Sequence, residues 1–583
     1  MEKIKLCLLL VFISIASLAL AANDSANTKY WIIFSDKDGI KQEDVIKYNS
    51  FEYKAGLELL TEKAINRRLK VLRKEELIGF ADLPVSNKYI DKIMNMKIDV
   101  IAKSRWFNGV SAYLTQSQLE SLKKLEFVNQ IFAVKKLYKQ GFESTSPVFL
   151  KTYYESITEH DSMNVYDYGK SFNQMMLVNV PAVHNLGITG SGVMVASFDD
   201  GFEWKTHEAL MGLNVLDEFD FINKDKNTAR EKNQKYTDSE SQGGHGTATL
   251  SSLAGFKEGK LIGPAFNSDY ILAKTEYVSS ETPMEEDFWL EAAEWAEALG
   301  ADVITSSLVY KAFDKPFLDN SYTYADFDGK TSIITIAGDL AAHYGVVVCN
   351  ATGNYYQTDP PSLGSASDGD SVIGIGAVDK QGNVTTFSSN GPTSDGRIKP
   401  DIVAPGATVY VARMGEGNNY DYSNGTSFST PITAGVCALI LSAHPELTAM
   451  QVREALRNTA NNSSTPNNVI GWGLINAYKA MLYFGAVWGK ETITERNNKK
   501  IVRIGFASND FTQPSSVKFN YRTPKSKKFK SVDMTLVHQI EKDNYSGVYE
   551  FVSNEYKGTA EKDEIEYYFT VNINGKELTY PKK

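Results

Sequence analysis

The chain of 583 residues is 42% hydrophobic, 11% aromatic and 23% charged. These proportions exclude a disordered, fibrous or miniature scaffold, and the length allows three or four domains at about 150 residues each. A formal net charge of -10, from 61 Lys plus Arg against 71 Asp plus Glu, comes without a basic patch of useful size, which excludes nucleic acid as a partner. Seven scattered histidines, with no C-x-x-C or H-E-x-x-H, supply no zinc ligand set.

In chain order, the basic start Met1-Glu2-Lys3-Ile4-Lys5, the apolar run Leu6 to Leu20 and the small residues Ala19-Leu20-Ala21 read as a signal peptide over residues 1–21. No later apolar run approaches the ~20 residues a membrane span needs, so an exported protein without a transmembrane segment is expected, either secreted or held in the cell envelope. Residues 23–139 form a small α+β unit. Tyr30 to Phe34 is a strand, Leu59 to Leu72 is a helix with Arg67, Arg68 and Lys70 facing outward, Lys97 to Leu114 is strand-rich, and Thr115 caps a short helix before the strand Phe127 to Val134. Residues 140–174 are polar, rich in tyrosine and without period, and read as a linker.

From residue 175 to 485 short apolar runs alternate with longer amphipathic ones. Val193 to Phe198, Tyr270 to Lys274, Asp302 to Leu308, Val346 to Ala351 and Val372 to Val378 are strands of the kind buried on both faces of a parallel sheet. With helices such as Met284 to Leu299 and Ser429 to Ala443 between them, they predict an α/β fold built on a doubly wound, mostly parallel sheet. Residues 486–583 become all-strand and predict a separate C-terminal β-sandwich-like domain. Once Cys7 is assigned to the signal peptide, Cys349 and Cys437 remain. Both lie in apolar runs and read as buried small side chains rather than a disulfide.

Three motifs sit at the edges of the α/β elements. In Val195 to Gly201 a strand ends in Asp199-Asp200-Gly201, in Gly243 to Thr249 glycines bring His245 to a helix start, and in Asn424 to Pro431 Ser427 opens a long apolar helix. A hydroxyl nucleophile needs a base for its proton and an acid to hold that base in one tautomer, and Ser427, His245 and Asp199 are of the types that fill those roles. Asn354, closing the strand run Val347 to Asn354, adds an amide that can donate to an oxyanion together with the Ser427 backbone N–H.

At these residues the chain resembles the subtilase family of serine proteases. Asp-Asp-Gly, His-Gly-Thr, Gly-Asn and Gly-Thr-Ser-x-x-x-Pro occur in the family's order. Between and after them come Ser371 to Asp379, Phe387 to Pro392, Ala404-Pro405-Gly406 and Gly471 to Asn476. The resemblance implies a subtilisin-like serine endopeptidase acting on protein or peptide substrates through Asp199, His245 and Ser427. Asn354 would be the oxyanion donor, Ser306, Ser307 and Leu308 a backbone edge for the substrate, and Ala351, Thr352 and Gly353 a wall of the pocket before the cut. The N-terminal unit, with Phe107 to Thr115 and Phe127 to Phe132, is similar to the family's inhibitor-like propeptide, which implies a zymogen inhibited by its own first domain.

Some positions depart from the family pattern. Asp200 stands where most members have Thr or Ser. The proprotein-processing branch carries Asp-Asp-Gly, and by that analogy Asp200 faces a basic substrate residue, with Lys135-Lys136 as a fitting cut region; a hydrogen-bonded acid is the alternative. Ala248 replaces a second histidine, and Val309-Tyr310 replace glycine beside the substrate edge. The acids Glu285-Glu286-Asp287 suit the start of a helix better than a metal site. No cofactor or metal is expected, and calcium, common in the family, matches no loop here. A non-cutting adhesion protein and an esterase are the rival readings; the four intact positions oppose the first, and the absence of a G-x-S-x-G elbow opposes the common esterase fold.

Overall fold

The computed structural model describes residues 28–133 and 164–581, apart from 498, 510–511, 523–525, 542–543 and 554–564. The signal-peptide residues and Lys135-Lys136 lie outside the described residues.

In the N-terminal unit the strands β1 (Thr28–Phe34), β2 (Val100–Ser104), β3 (Gly109–Leu114) and β4 (Val128–Ala133) form an antiparallel sheet in the order β2-β3-β1-β4. Alternation along β1 divides its side chains between two cores. Ile32 and Phe34 pack with Ile93, Leu119 and Leu122 of the helices α3 (Asn87–Asn95) and α4 (Gln116–Leu122), whereas Trp31 and Ile33 join the core of the larger domain. Between β1 and α3 lie α1 (Phe51–Leu57) and α2 (Glu62–Arg68).

Here the structure corrects the sequence reading. The helix is shorter than Leu59 to Leu72, and Arg67 and Arg68, expected to face outward, are buried. A 3.6-residue period places a side chain on a face but does not say whether another domain covers that face.

Seven strands form the central sheet of the large domain: β5 (Met194–Asp199), β6 (Asn214–Asp220), β7 (Asp269–Lys274), β8 (Val303–Ser306), β9 (Val347–Ala351), β10 (Ile373–Val378) and β11 (Ile402–Pro405). All are parallel, in the order β11-β10-β9-β8-β5-β7-β6. On one face lie α7 (Gly244–Ala254) and α10 (Thr426–Ala443), against Val195, Val303, Val347 and Ile375. On the other lie α8 (Met284–Leu299) and α9 (Ile333–His343), against Ala196, Phe198, Ile304 and Val348, with the N-terminal sheet beyond them. Strands buried on both sides explain the nearly continuous apolar runs in the sequence. Among the described residues α10 is long and apolar enough to cross a membrane, but 89% of it is buried inside the fold.

The expected linker ends before residue 174. Tyr168 is buried with its hydroxyl 2.7 Å from His184 Nδ1, and α5 (Phe172–Leu177) and α6 (Val180–Asn185) follow directly. A tyrosine-rich stretch without a period reads as a linker, whereas here the Tyr168 ring packs into the core of the large domain. Cys349 and Cys437 are free thiols, both fully buried, with Sγ atoms 3.9 Å apart. Among the described residues of the C-terminal region two antiparallel sheets, one of four strands and one of five, enclose Val502, Ile504, Phe519, Phe569 and Val571.

Candidate active site

In the strand order the direction of winding reverses between β5 and β8, so a crevice opens outside their carboxyl ends. Asp199 is the last residue of β5 and is 1% exposed. Its Oδ1 accepts from His245 Nδ1 at 2.7 Å and its Oδ2 from Thr249 Oγ1 at 2.9 Å. Thr249 lies four residues beyond His245 on the same face of α7, so helix and strand end are tied together twice. Sequence reasoning missed Thr249, although its i+4 spacing was visible.

His245 occupies the second position of α7, after Gly243 in the left-handed region at φ 81. Gly246 must be glycine, because a Cβ there would lie 2.2 Å from the Gly201 carbonyl oxygen and 2.9 Å from Asp199 Cβ. Burial pulls the imidazole pKa down, but the Asp199 carboxylate, its hydrogen bond and the Asp200 charge outweigh it and raise the value to about 9. The side chain remains 38% exposed, which leaves the far side of the ring open to the crevice.

Ser427 is the second residue of α10 and Pro431 the sixth. Proline has no N–H to give the carbonyl four residues back, which is that of Ser427. Ser307 Oγ supplies the missing donor at 2.8 Å, and the Ser427 hydroxyl donates in return to the Ser307 carbonyl at 3.4 Å. The Ser427 hydroxyl is therefore turned toward Ser307 in this structure and not toward His245. Phe428, next along the helix, has its ring centroid 6.1 Å from that of His245.

Asn354 Oδ1 accepts from the Thr426 backbone N–H at 2.9 Å and from its hydroxyl at 3.1 Å, which fixes the amide and aims Nδ2 the other way. Gly425, at φ 146, leaves a gap there. A Cβ on Gly425 would lie 3.4 Å from Asn354 Nδ2, 3.6 Å from Ser427 N and 3.7 Å from Ser427 Cβ. Two donors thus border one small space beside the hydroxyl-bearing carbon, one of them a helix-terminal N–H without an intrahelical partner.

The remaining candidate residues divide. Ser307 and Leu308 follow the end of β8, and Gly353, at φ 110, follows β9. Ser306, expected at the substrate edge, is fully buried and accepts from Trp289 Nε1 at 3.0 Å; period-2 alternation turns its side chain into the core, leaving only its backbone for any pairing. Thr352 is also buried, its hydroxyl donating to the Ile375 carbonyl at 3.1 Å. Asp200, expected to face a basic substrate residue, is 3% exposed and accepts from the Gly246 N–H at 2.7 Å and the His245 N–H at 3.3 Å. A buried carboxylate with both oxygens in use has no face for substrate. Tyr355 and Tyr356, 40% and 60% exposed just beyond Asn354, border the same end of the sheet and were not singled out.

Glu276, Glu281 and Glu285 bring carboxylate oxygens within 4.8 Å of one another, the grouping among the described residues with the spacing to hold a metal ion. Glu285 already accepts from the Tyr277 and Thr282 N–H groups, and Glu276 from the Tyr310 hydroxyl. Burial raises the pKa values of all three acids, helped by their cluster neighbours for Glu276 and Glu285 and by Asp314 for Glu281, so protons as well as cations can settle the charge.

The model of the subtilase family matches residues 190–473, and that of the Peptidase S8 propeptide domain of Bacteroidota matches residues 29–147. Subtilisin of Bacillus pumilus is 32% identical over 305 residues, 52% of this chain and 96% of that protein. Subtilisin E of Bacillus subtilis (strain 168) is 31% identical over 305 residues, covering 52% and 69%. Serine protease AprX of the same strain is 30% identical over 315 residues, covering 50% and 66%. The chain belongs to the subtilase family: it is a serine-type endopeptidase that carries its propeptide ahead of the catalytic domain.

Proposed function

We propose that the chain is exported as a zymogen and hydrolyses peptide bonds in protein substrates with Ser427 as nucleophile. The single observation that carries this reading is the row formed by Asp199, His245 and the start of α10. A buried acid bonds the inner imidazole nitrogen at 2.7 Å, and Phe428, next to Ser427 on α10, has its ring centroid 6.1 Å from that of the imidazole.

When substrate enters, rotation about the Ser427 Cα–Cβ bond exchanges the long hydrogen bond to Ser307 for one to His245; such bonds commonly tighten only in the substrate complex. Ser427 Oγ then attacks the carbonyl carbon, its proton passes to His245 Nε2, and the imidazolium is stabilised by Asp199. The carbonyl oxygen, now negative, enters the gap at Gly425 and accepts from Asn354 Nδ2 and the Ser427 N–H. His245 returns the proton to the leaving amine, and water repeats the sequence on the acyl-enzyme. Every proton and electron pair in this cycle moves between side chains, substrate and water, so the chemistry calls for no cofactor.

An extended peptide pairs with the backbone of Ser306 to Leu308, a contact that needs no particular side chain. Ala351 and Gly353 flank the residue before the cut. Residues 1–21 direct export, and the propeptide, packed against α8, inhibits the enzyme until it is cut away.

The test is casein digestion and fluorophosphonate labelling of wild type beside Ser427→Ala. Loss of labelling and of at least about four orders of magnitude in turnover is expected. Retained digestion by the variant overturns the reading. Casein resistance with persisting ester hydrolysis by the wild type favours an esterase.

A further inference from the structure

Building on the triad reading above, we propose that Asp200 is a positioning residue, which caps α7 from the neighbouring strand end and so keeps His245 in register with Asp199. The helix α7 begins without a cap of its own. Gly243 stands at its N-cap and offers no side chain, yet the first N–H groups of any helix lack intrahelical partners. Asp200 takes two of them: Oδ1 accepts from Gly246 N–H at 2.7 Å and Oδ2 from His245 N–H at 3.3 Å. It does so from the neighbouring strand end, as the residue directly after Asp199.

Two adjacent carboxylates thus divide the work of holding one residue. Asp199 bonds the imidazole of His245 and Asp200 bonds its backbone. Asp199 Oδ1 also accepts from the Asp200 N–H at 2.8 Å, and Gln242 Nε2 donates to the Asp200 carbonyl, which ties strand end and helix start into one unit. A carboxylate suits the place, because both of its oxygens accept and its charge lies at the positive end of the α7 dipole. Hydroxyl side chains have a single oxygen to offer two N–H groups.

The charged groups around it are Asp199 and His245 on the two elements it joins, Glu276 after β7, and Arg413, which acts on His245. Lys274 passes close to Gly201 but is held by Asp220 and Asp238. Burial and the Asp199 charge push the Asp200 pKa up, against His245 and the two N–H groups. Its negative charge in turn helps hold a proton on His245. Because the base works only when neutral, removing that charge shifts the acid limb of the rate profile to lower pH.

Asp200→Ala and Asp200→Asn in the full chain test this, with paired peptides carrying Lys or Ala at the second residue before the cut. For Asp200→Ala, kcat falls about 10- to 100-fold on both peptides with KM unchanged, the scale of a displaced general base. Asp200→Asn keeps one acceptor oxygen, recovers most of kcat and moves the acid limb down by about half a unit or more. A loss confined to KM for the Lys peptide assigns Asp200 to substrate binding and overturns the proposal, as does an unchanged kcat in Asp200→Ala. Should that variant fail to fold, the His245 imidazole is titrated by NMR in the Ser427→Ala chain with and without Asp200→Asn; an unmoved pKa overturns it. Activity surviving in Ser427→Ala alone defeats the triad reading separately, whatever Asp200 does.

Discussion

Two buried groups of charge, one at the contact with the propeptide and one at the carboxyl ends of the strands, are neutralised differently. Asp287, Glu294 and Glu297 of α8, which meet the propeptide, each have a cation. Glu297 bonds Arg67, Arg68 and Arg105, Arg68 also bonds Asp82, and Lys29 bonds Asp287 at 2.7 Å. Although burial pushes Glu297 upward, Arg68 and Arg67 hold it at about 2. At the crevice, among the described residues, Asp199 and Asp200 stand together with one imidazole and no lysine or arginine in ion-pair contact, and burial raises Asp200 and Glu276. A network whose task is attachment cancels its charge, whereas a site that must move a proton keeps charge that substrate or a proton settles.

The contrast fails most visibly if Asp199→Asn leaves the enzyme active. A loss of about 10^4-fold in kcat is expected, since the amide supports the wrong imidazole tautomer, while propeptide binding, measured by inhibition in trans, stays unchanged. The reverse holds for Arg68→Ala. Glu297 keeps Arg67 and Arg105 but loses the Arg68 bonds, so propeptide attachment weakens by about 1.5–3 kcal/mol, the range of a hydrogen bond to a charged group, read as an increased inhibition constant, and kcat of the processed enzyme is unaffected.

Acid separates the two groups by pH. Neutral His245 is required for turnover and its pKa is raised to about 9, so activity measured on a pH series falls as the pH drops through the alkaline range. Glu297 is depressed from 4.5 to about 2. Its stabilisation of the complex is therefore complete above 4.5 and is lost as the pH falls toward 2, so binding titrations should show the propeptide still attached after activity has gone. The smallest expected effect is that of Thr249→Ala, which removes one of the bonds on Asp199 and lowers kcat by roughly tenfold, the low end for a hydrogen bond to a charged group, because Asp199 keeps the His245 and Asp200 N–H donors.

Much of the fold was readable in the chain. The runs Val193 to Phe198 and Val346 to Ala351 declared two-sided burial, and the capping box Thr115 with Gln118 declared α4. Burial across domains was not readable. Arg67 and Arg68 look like a solvated face until α8 and α9 are laid against them, and Arg67 in fact donates to the backbone carbonyls of Glu297, Ala301 and Tyr344. Within the site, the residue types and their order pointed to Asp199, His245, Ser427 and Asn354, but analogy alone placed Ser306 at the substrate and left Asp200 open between a substrate contact and a hydrogen-bonded acid.

By itself, then, the sequence determined the family, the strand and helix types and the kinds of group that chemistry would need, because periodicity and short motifs are local properties. Only the tertiary structure decided which carboxylate faces the imidazole and which its backbone, which serine points into the core, and which arginines disappear beneath the propeptide. Those outcomes depend on partners far away in the chain, and in a buried site the partner, more than the residue type, sets what a charged or hydroxyl group can do.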